Sequence, residues 1–222
     1  MIRQTKAGVW VIDGDSHHTQ WVEETGRLDH DMSTMREVLP LIQPGDGVID
    51  IGAHIGTHTR AYLDRVGEKG KVFAFEPNRE AYDCLVQNCP EAKCMNVALG
   101  DRMANVTLAL PPDKNYGTAR ITPEPGPVQM IRLDSIGLNG VDFIKIDVEG
   151  SEELVLLGAM RTIKTSKPVL LIEVNEGALR AANSSPGDLF RVLQSLNYEW
   201  RNVFKRQPCD GPQFDIIATP TA

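Results

Sequence analysis

The chain has 222 residues, a formal net charge of −7, and 41% hydrophobic and 24% charged residues. These values are typical of one globular domain with a substantial core, and the acidic balance argues against a protein whose main task is to grip a phosphate backbone. The four cysteines form no Cys-x-x-Cys pair, the first residues are polar and the apolar runs are short, so we expect a cytoplasmic protein without a membrane partner.

Residues 1–40 are expected to form an N-terminal extension or lid, and residues 41–222 the main domain. Within the extension, residues 9–12 are predicted to form a short strand, and Asp31 to Ile42 carries apolar residues close to helical spacing. The adjacent His17 and His18 would suit a metal ion. Neighbouring residues of a strand face opposite ways, however, and no acidic ligand motif accompanies them, so the sequence does not predict a metal site there.

The stretch from Val48 to Gly56 organises the rest of the chain. Its β-branched residues predict a strand over 48–51, which then turns through Gly52 and Gly56 into a helix. Such a turn places backbone N–H groups around an open space, and glycine lets a ligand approach the backbone closely. The spacing Asp-x-Gly-x-x-x-Gly differs from the dinucleotide-binding pattern because His54 stands where that pattern has its second glycine.

An acidic residue follows the next predicted strand. That strand covers Lys71 to Phe75, and Glu76 stands at its end, roughly 25 residues after the turn, which is near the offset of a ribose-binding acid in such folds. A carboxylate there can accept hydrogen bonds from both hydroxyls of a ribose. Turn and acid together predict a ligand that contains a nucleoside. The alternative is an ordinary buried strand, turn and helix with a surface glutamate.

The rest of the chain alternates strands and helices around an irregular middle. Further strands are predicted over 93–98, 105–110, 128–133, 142–147, 168–174, 198–204 and 214–218. Helices are predicted to begin near Gly56, Pro77, Gly150 and Pro186, and 111–127 is predicted to be a long loop. The alternation indicates an α/β fold whose open, mainly parallel sheet has helices on both faces. The last two strands suit an antiparallel hairpin, and ligands of such sheets bind outside the carboxyl ends of the strands.

Four carboxylates stand at the predicted ends of strands: Asp50, Glu76, Asp147 and Glu173. Glu149 and Asn175 each follow two residues after one of them, so both members of a pair point to one side if the strand continues that far. Several carboxylates at one rim repel each other unless a sulfonium, an amine, a metal or a neighbouring basic side chain lies between them. The alternative is that Glu149 caps the next helix and Glu173 pairs with a surface lysine.

Five segments, taken in order, carry a family resemblance: Val48–Gly56, Phe73–Asn78, Asn96–Gly100, Leu133-Asp134 and Asp142–Glu152. They resemble the FkbM family of S-adenosylmethionine-dependent methyltransferases. The Ile-Lys-Ile-Asp-Val-Glu-Gly block in the last segment is the most specific piece. Residues 115–119 look like a further family segment, and His54 stands where the family often has asparagine. The resemblance implies a Rossmann-like class I methyltransferase fold: a seven-stranded, mostly parallel sheet with helices on both faces and an antiparallel last strand.

The resemblance also implies where the cofactor and the reacting groups lie. Around the methionine part of S-adenosylmethionine it places Asp50, Gly52, His54 and Gly56, with Thr57 beside them. It places Glu76 at the ribose, and toward the adenine it places Pro77, Asn78, Asn96 and Ala98. Asp147 is expected beside the sulfonium methyl, where we predict that it assists deprotonation of the acceptor, while Glu149, Glu173 and Asn175 shape the acceptor pocket.

The activity that the resemblance implies is O-methylation of a small molecule, above all of a sugar, a glycan or a secondary metabolite. A divalent cation bridging Asp147 and Glu173 is left open, as is a homo-oligomer. Nucleic acid is not expected as a partner because the chain is acidic and has no basic patch. Two alternatives stay open at this point: a methyltransferase acting on RNA or protein, and a catalytically silent module that binds S-adenosylmethionine.

Overall fold

The computed structural model describes residues 1–28, 32–204 and 207–221. The strands of this described part are β1 (Ile2–Gln4), β2 (Trp10–Ile12), β3 (Gly47–Ile51), β4 (Lys71–Phe75), β5 (Lys93–Met95), β6 (Ala98–Leu99), β7 (Ala104–Ala109), β8 (Arg120–Thr122), β9 (Val128–Ile131), β10 (Phe143–Ile146), β11 (Val169–Asn175), β12 (Tyr198–Asn202) and β13 (Gln213–Pro220). Its α-helices are α1 (His18–Thr25), α2 (Met32–Val38), α3 (Thr57–Val66), α4 (Arg79–Asn88), α5 (Glu152–Gly158), α6 (Met160–Ser166), α7 (Glu176–Ala181) and α8 (Pro186–Ser195).

The central sheet has seven strands in the order β12-β13-β11-β10-β3-β4-β5. Strands β11, β10, β3, β4 and β5 run parallel to one another, whereas β13 lies antiparallel between β11 and β12. This order confirms the expected seven-stranded, mostly parallel sheet with an antiparallel last strand. Because the parallel strands all end on one edge, the residues that follow β3, β4, β10 and β11 come together there.

Alternating side chains of the central strands bury two separate faces. On one face, Ile49 and Ile51 pack in a cluster with α5 and α8. On the other, Val48 and Phe143 pack with α2 and α3, where Tyr62 is fully buried. Each such side chain contributes about 1.5–3 kcal/mol when removed from water, so both helical layers are fixed to the sheet by burial. Helices therefore cover both faces, as expected.

The middle of the chain forms a second sheet that the sequence did not predict. Its order is β6-β9-β7-β8, and β6 belongs to it although 93–98 was predicted as one strand. The strand stops at Met95 because the next side chain, Asn96, donates to the backbone oxygens of Glu76 and Pro77 and so turns the chain away. The predicted loop 111–127 is also only partly a loop, since it contains a 3-10 turn at Tyr116–Thr118 and strand β8.

The single helix predicted to begin near Gly150 is broken into α5 and α6. The cause is the buried Asp134, whose carboxylate accepts hydrogen bonds from the backbone N–H groups of Arg161 and Thr162 at 2.9 and 2.8 Å. Only the first N–H groups of a helix lack partners within the helix, and a side-chain carboxylate can cap them. Helix α6 therefore begins here as a separate helix. Helix α7 was also not predicted, and Asn175 caps it by accepting from the N–H of Ala178.

The N-terminal extension packs against the core in two places. The β1–β2 hairpin and α1 bury Val11, Ile12 and Val22 against Ile55 and Ala81. Helix α2 begins at residue 32 and packs through Met35 and Val38 against α3 and the central sheet; its predicted start at residue 31 lies outside the described residues. The division at residue 40 stays a prediction. None of the described helices has the length and apolar character needed to cross a bilayer, and the cytoplasmic location also stays a prediction.

Candidate active site

A cavity of about 350 Å³ opens at the carboxyl ends of the parallel strands. Its walls come from the turn after β3, the ends of β4, β10 and β11, the start of the second sheet and the segment 115–121. His17 and His18 of the N-terminal extension line it as well. The volume is in the range of small-molecule sites, and the position is the one at which open α/β sheets bind ligands.

The turn after β3 is shaped by a glycine that no other residue could replace. Gly52 has a φ of +80°, and a Cβ there would lie 1.8 Å from the backbone oxygen of Asp147. The N–H groups of Gly52 and Ala53 both donate to the backbone oxygen of Phe75, and that of His54 donates to Glu76. The turn therefore does not present these N–H groups to a ligand, contrary to our expectation, and a ligand has to be held largely by side chains.

Glu76 lies at the end of β4 and lines the cavity while being only 6% exposed. Its two oxygens accept hydrogen bonds from the N–H groups of His54 at 2.8 Å and Asn78 at 2.7 Å. Burial raises the pKa of this carboxyl to about 7, because the two backbone N–H groups offset only part of the lost hydration. A ligand that donates further hydrogen bonds would stabilise its charged form.

A buried lysine joins two of the predicted site residues. Lys145 on β10 stands directly opposite Asp50 on β3 in the strand register. Its Nζ lies 3.6 Å from Oδ1 of Asp50 and 3.1 Å from Oδ2 of Asp147, and it donates to the backbone oxygen of Gly52 at 2.8 Å. Burial alone would lower the pKa of Lys145, but the carboxylates of Asp147 and Asp50 outweigh burial and raise it, so the ammonium stays charged.

Three carboxylates gather beside this lysine. Carboxylate oxygens of Asp147, Glu149 and Glu173 lie within 4.8 Å of one another. Burial first, and then the charges of the neighbouring carboxylates, raise the pKa of Glu149 to about 7 and that of Glu173 to about 9. At neutral pH the cluster therefore holds at least one proton. Such a cluster favours a cationic ligand and contains groups that can exchange protons near pH 7.

The alternative roles for these glutamates are not the ones that the structure shows. Glu152, and not Glu149, accepts from the N–H groups of Val148 and Gly150, which lie just before α5. Glu149 instead adopts a φ of +53° and lines the cavity. Glu173 accepts at 2.8 Å from the side-chain amide of Gln213 on the antiparallel strand β13.

Histidines of the N-terminal extension take part in the site. His18 is the first residue of α1, so the strand alternation on which our exclusion of His17 and His18 depended is absent. The ring of His18 lies 4.4 Å, centroid to centroid, from the ring of His54. The sequence did contain a signal, because Asp15, which turned out to be buried, stands three residues before His18.

The imidazole ring of His54 lacks hydrogen-bond partners among the described residues. Its backbone is left-handed, with a φ of +48°, and burial, with a contribution from Lys145, lowers the pKa of its ring to about 3. Neither ring nitrogen makes a hydrogen bond with any described residue, although both are buried. An unmade hydrogen bond of a buried group costs about 1–3 kcal/mol. The neutral ring is therefore expected to gain a partner when the site is filled.

The predicted site residues divide into two groups. Those that line the cavity are Gly52, His54, Thr57, Glu76, Pro77, Ala98, Asp147, Glu149 and Glu173. Five do not line it: Asp50, Gly56, Asn78, Asn96 and Asn175. Asp50 accepts from the hydroxyl of Thr59, and Asn78 caps α4. The roles given to all of these residues stay predictions. Lys145 was given no role in the sequence analysis, although a lysine in an otherwise apolar strand indicates a buried acidic partner.

Comparisons with known proteins agree with the family resemblance of the sequence. The family model described as the methyltransferase FkbM domain matches residues 50–200. The chain is 28% identical over 187 residues to the hexuronic acid methyltransferase AglP of Haloferax volcanii, which covers 78% of this chain and 73% of that protein. It is 27% identical over 194 residues to the 2-O-methyltransferase NoeI of Sinorhizobium fredii, which covers 74% of this chain and 78% of that protein.

The crystal structure of the FkbM methyltransferase from Methylobacillus flagellatus KT superposes with a TM-score of 0.58 at 20% identity. The match covers 89% of this chain and 52% of that one, so this chain spans about half the length of the solved protein. At this level of identity the likeness shows a shared fold.

Proposed function

Since this chain belongs to the FkbM family of methyltransferases, we propose that it transfers a methyl group from S-adenosylmethionine to a hydroxyl of a sugar or glycan. The family match confirms the expected methyltransferase class and its cofactor. The proposal concerns the oxygen acceptor, its chemical class and the residues that act. One observation carries it: three carboxylates and a buried lysine share a cavity with Glu76.

The residues of the cavity fit the cofactor. Glu76 would accept hydrogen bonds from the ribose hydroxyls, because its carboxyl is buried and its two backbone hydrogen bonds replace only part of the lost hydration. Phe75, Val97 and Leu99 give the same cavity an apolar wall for the adenine. The unpartnered ring of His54 offers a donor and an acceptor to the methionine part. When bound, S-adenosylmethionine supplies a methyl group on a positively charged sulfonium, which the carboxylate cluster would stabilise.

Within the cluster, Glu149 is the better proton acceptor. Asp147, to which the sequence gave that role, is held in an ion pair by Lys145 at 3.1 Å. Glu149 has a pKa of about 7, so it can take the proton of an acceptor hydroxyl near neutral pH. Glu173 has one oxygen that makes no hydrogen bond with a described residue, and it would position the acceptor through that oxygen. Alignment of the acceptor and exclusion of water are what methyl transfer mainly requires.

The sugar acceptor is supported by the two relatives, whose names state a hexuronic acid methyltransferase and a 2-O-methyltransferase. Polar groups from two segments face the cavity, namely His17 and His18 at the start of α1 and the turn Tyr116–Thr118. The N–H of Tyr116 donates to Asp15, so the two segments are joined. We propose that residues 1–28 and this turn together form the lid over the acceptor. A homo-oligomer stays a prediction.

A divalent cation is the alternative way to neutralise the cluster. Oxygen ligands from Asp147, Glu149 and Glu173 would suit a hard cation such as Mg²⁺. Turnover measured after exhaustive chelation, with and without added Mg²⁺, separates the two arrangements. Turnover that survives chelation supports direct proton transfer to Glu149, and turnover restored only by Mg²⁺ supports the cation.

Two rival functions remain distinguishable. An RNA or protein methyltransferase would methylate a macromolecule, and an RNA substrate would give a rate that falls steeply with salt. The net charge of −7 disfavours RNA. A silent module would bind S-adenosylmethionine without producing S-adenosylhomocysteine with any hydroxylated acceptor. A screen of monosaccharides, uronic acids and oligosaccharides for S-adenosylhomocysteine formation tests the proposal directly.

Replacing Glu76 by glutamine is expected to weaken S-adenosylmethionine binding tenfold or more. Charged hydrogen bonds contribute about 1.5–3 kcal/mol each, and about 1.4 kcal/mol corresponds to tenfold in affinity. Calorimetric titration measures the effect. Glu68→Gln, at an exposed glutamate, is the matched control. The melting temperature of each variant shows whether the fold is intact, because Glu76 also accepts two backbone hydrogen bonds. Unchanged affinity in a folded Glu76→Gln protein would contradict the ribose assignment.

The preference for S-adenosylmethionine over S-adenosylhomocysteine is expected to increase with pH. The carboxyl of Glu149 has a pKa raised to about 7, so its charged form, which attracts a sulfonium, becomes populated as the pH rises through that value. S-adenosylhomocysteine lacks the positive charge and serves as the control ligand. We expect the ratio of affinities to grow by about tenfold between pH 6 and pH 8. Titrations in buffers of different ionisation enthalpy would also reveal proton release. Parallel pH profiles for the two ligands would argue against the cluster as the sulfonium partner.

A further inference from the structure

A second cluster of metal-ligating side chains lies where the N-terminal extension meets the turn after β3. It consists of Asp15, between β2 and α1, His18, the first residue of α1, and His54 in the turn. One ligand atom from each residue lies within 4.8 Å of the others. In the methyl transfer proposed above, Asp15 and His18 belong only to the lid and touch no reacting atom.

The donor set selects the kind of ion. Two imidazoles and one carboxylate suit zinc and related transition metals, whereas Mg²⁺ and Ca²⁺ prefer oxygen ligands alone. Zinc takes nitrogen at about 2.0–2.1 Å and carboxylate oxygen at about 2.0–2.2 Å. The three donors need to close on the ion by small side-chain movements. A fourth position would remain open toward the cavity, since His18 and His54 line it.

Asp15 is already held in place. It is 5% exposed, and one of its oxygens accepts from the N–H groups of His17 at 3.0 Å and Thr19 at 3.1 Å. Its other oxygen accepts from the N–H of Tyr116 at 3.2 Å. Supporting hydrogen bonds of this kind orient a metal ligand and reduce the cost of ordering it.

His54 supplies the independent observation. Both of its ring nitrogens are buried, and neither makes a hydrogen bond with a described residue. Its ring lies against that of His18 at 4.4 Å between centroids, tilted by 54°. Two imidazoles in contact, one of them unpartnered, face a fixed and buried carboxylate.

We propose that Asp15, His18 and His54 bind one transition-metal ion of the zinc type. The ion joins the N-terminal extension to the turn after β3. This site is distinct from the carboxylate cluster of Asp147, Glu149 and Glu173, and its existence does not depend on the methyl acceptor or on methyl transfer.

The test is titration of untagged, cofactor-free protein with Zn²⁺ in competition with a chromophoric chelator. Co²⁺ provides a second probe, whose visible spectrum reports histidine ligation. We expect one equivalent of Zn²⁺ to bind at micromolar concentration or tighter, and His18→Ala or His54→Asn to weaken it at least tenfold. Asparagine tolerates the left-handed backbone at position 54, so this variant keeps the turn. Zn²⁺ is also expected to raise the melting temperature of the wild-type protein and not that of the two variants.

Two controls keep the result specific. His58→Ala removes a histidine that lines the cavity but lies outside the proposed metal site, and Glu173→Gln alters the separate cluster of three carboxylates. Both are expected to retain Zn²⁺ affinity. Absence of Zn²⁺ binding by the wild-type protein, or equal binding by wild type, His18→Ala and His54→Asn, would overturn the proposal. Loss of Zn²⁺ binding in Glu173→Gln, with binding unchanged in the two histidine variants, would also overturn it. Because no cofactor or acceptor is present, the proposed methyl transfer can fail without affecting this result.

Discussion

Glu149→Gln is expected to lower kcat by about 10²- to 10⁴-fold, the usual contribution of a positioned general base. Glutamine keeps the size of the side chain but cannot take the proton of the acceptor hydroxyl. Removing one negative charge from the cluster is expected to weaken S-adenosylmethionine binding by a smaller factor. The readout is S-adenosylhomocysteine formation with an acceptor found for the wild-type enzyme, at saturating cofactor.

The pH profile separates a proton acceptor from a residue that only shapes the pocket. The base has to be deprotonated to act, and burial raises its pKa to about 7. The wild-type rate is therefore expected to rise as the pH increases through 7, and this rise should be lost in Glu149→Gln. Glu153→Gln is the matched control, because that carboxylate lies only four residues further along the chain, on α5, and does not line the cavity. A fully active Glu149→Gln enzyme would return the role to Asp147, for which Asp147→Asn is the corresponding variant.

Lys145→Met is expected to lower the free energy of unfolding by about 3–5 kcal/mol, as does removal of one partner from a buried ion pair. Lys145 is 4% exposed and Asp50 is fully buried, so the carboxylate of Asp50 would lose its cation without gaining water. The backbone oxygen of Gly52 would lose its donor as well. Denaturant unfolding monitored by circular dichroism measures the effect.

Two further variants locate the cause of that destabilisation. Lys71→Met, at the exposed start of β4, is expected to change stability by less than about 0.5 kcal/mol. Asp50→Asn placed in the Lys145→Met background is expected to recover part of the loss, because it removes the uncompensated charge. Equal stability of Lys145→Met and wild type would show that Lys145 is not needed to neutralise Asp50.

Local patterns predicted the elements whose signals lie close together in sequence. The β-branched run before Gly52 and the acid after β4 indicated both the strand ends and the cavity residue Glu76. The block around Asp147 identified the family, and the position of the acids followed from the rule that parallel strands end on one edge. These inferences required only strand direction and a spacing of a few residues.

What the sequence did not predict depends on contacts between distant residues. Helices α5 and α6 are separate because Asp134, 27 residues before Arg161, caps the second of them. Strands β6 and β8 have two and three residues, too few for a periodic pattern. The contact between His18 and His54 forms only when the extension folds onto the turn, so Asp15 hinted at a role for His18 but nothing in the sequence indicated that His54 lies beside it.

The place of β13 in the sheet has a consequence for synthesis on the ribosome. This strand lies between β11 and β12, yet it is the last of the three to be made. Until Gln213 and the residues after it emerge, β12 has no neighbour and β11 has an open edge. Glu173 likewise lacks Gln213, its hydrogen-bond partner on that strand. A nascent chain thus carries an incomplete sheet until β13 has been made, and an exposed strand edge is where unfinished chains associate wrongly. The central sheet and this side of the cavity are therefore completed together, when β13 is inserted.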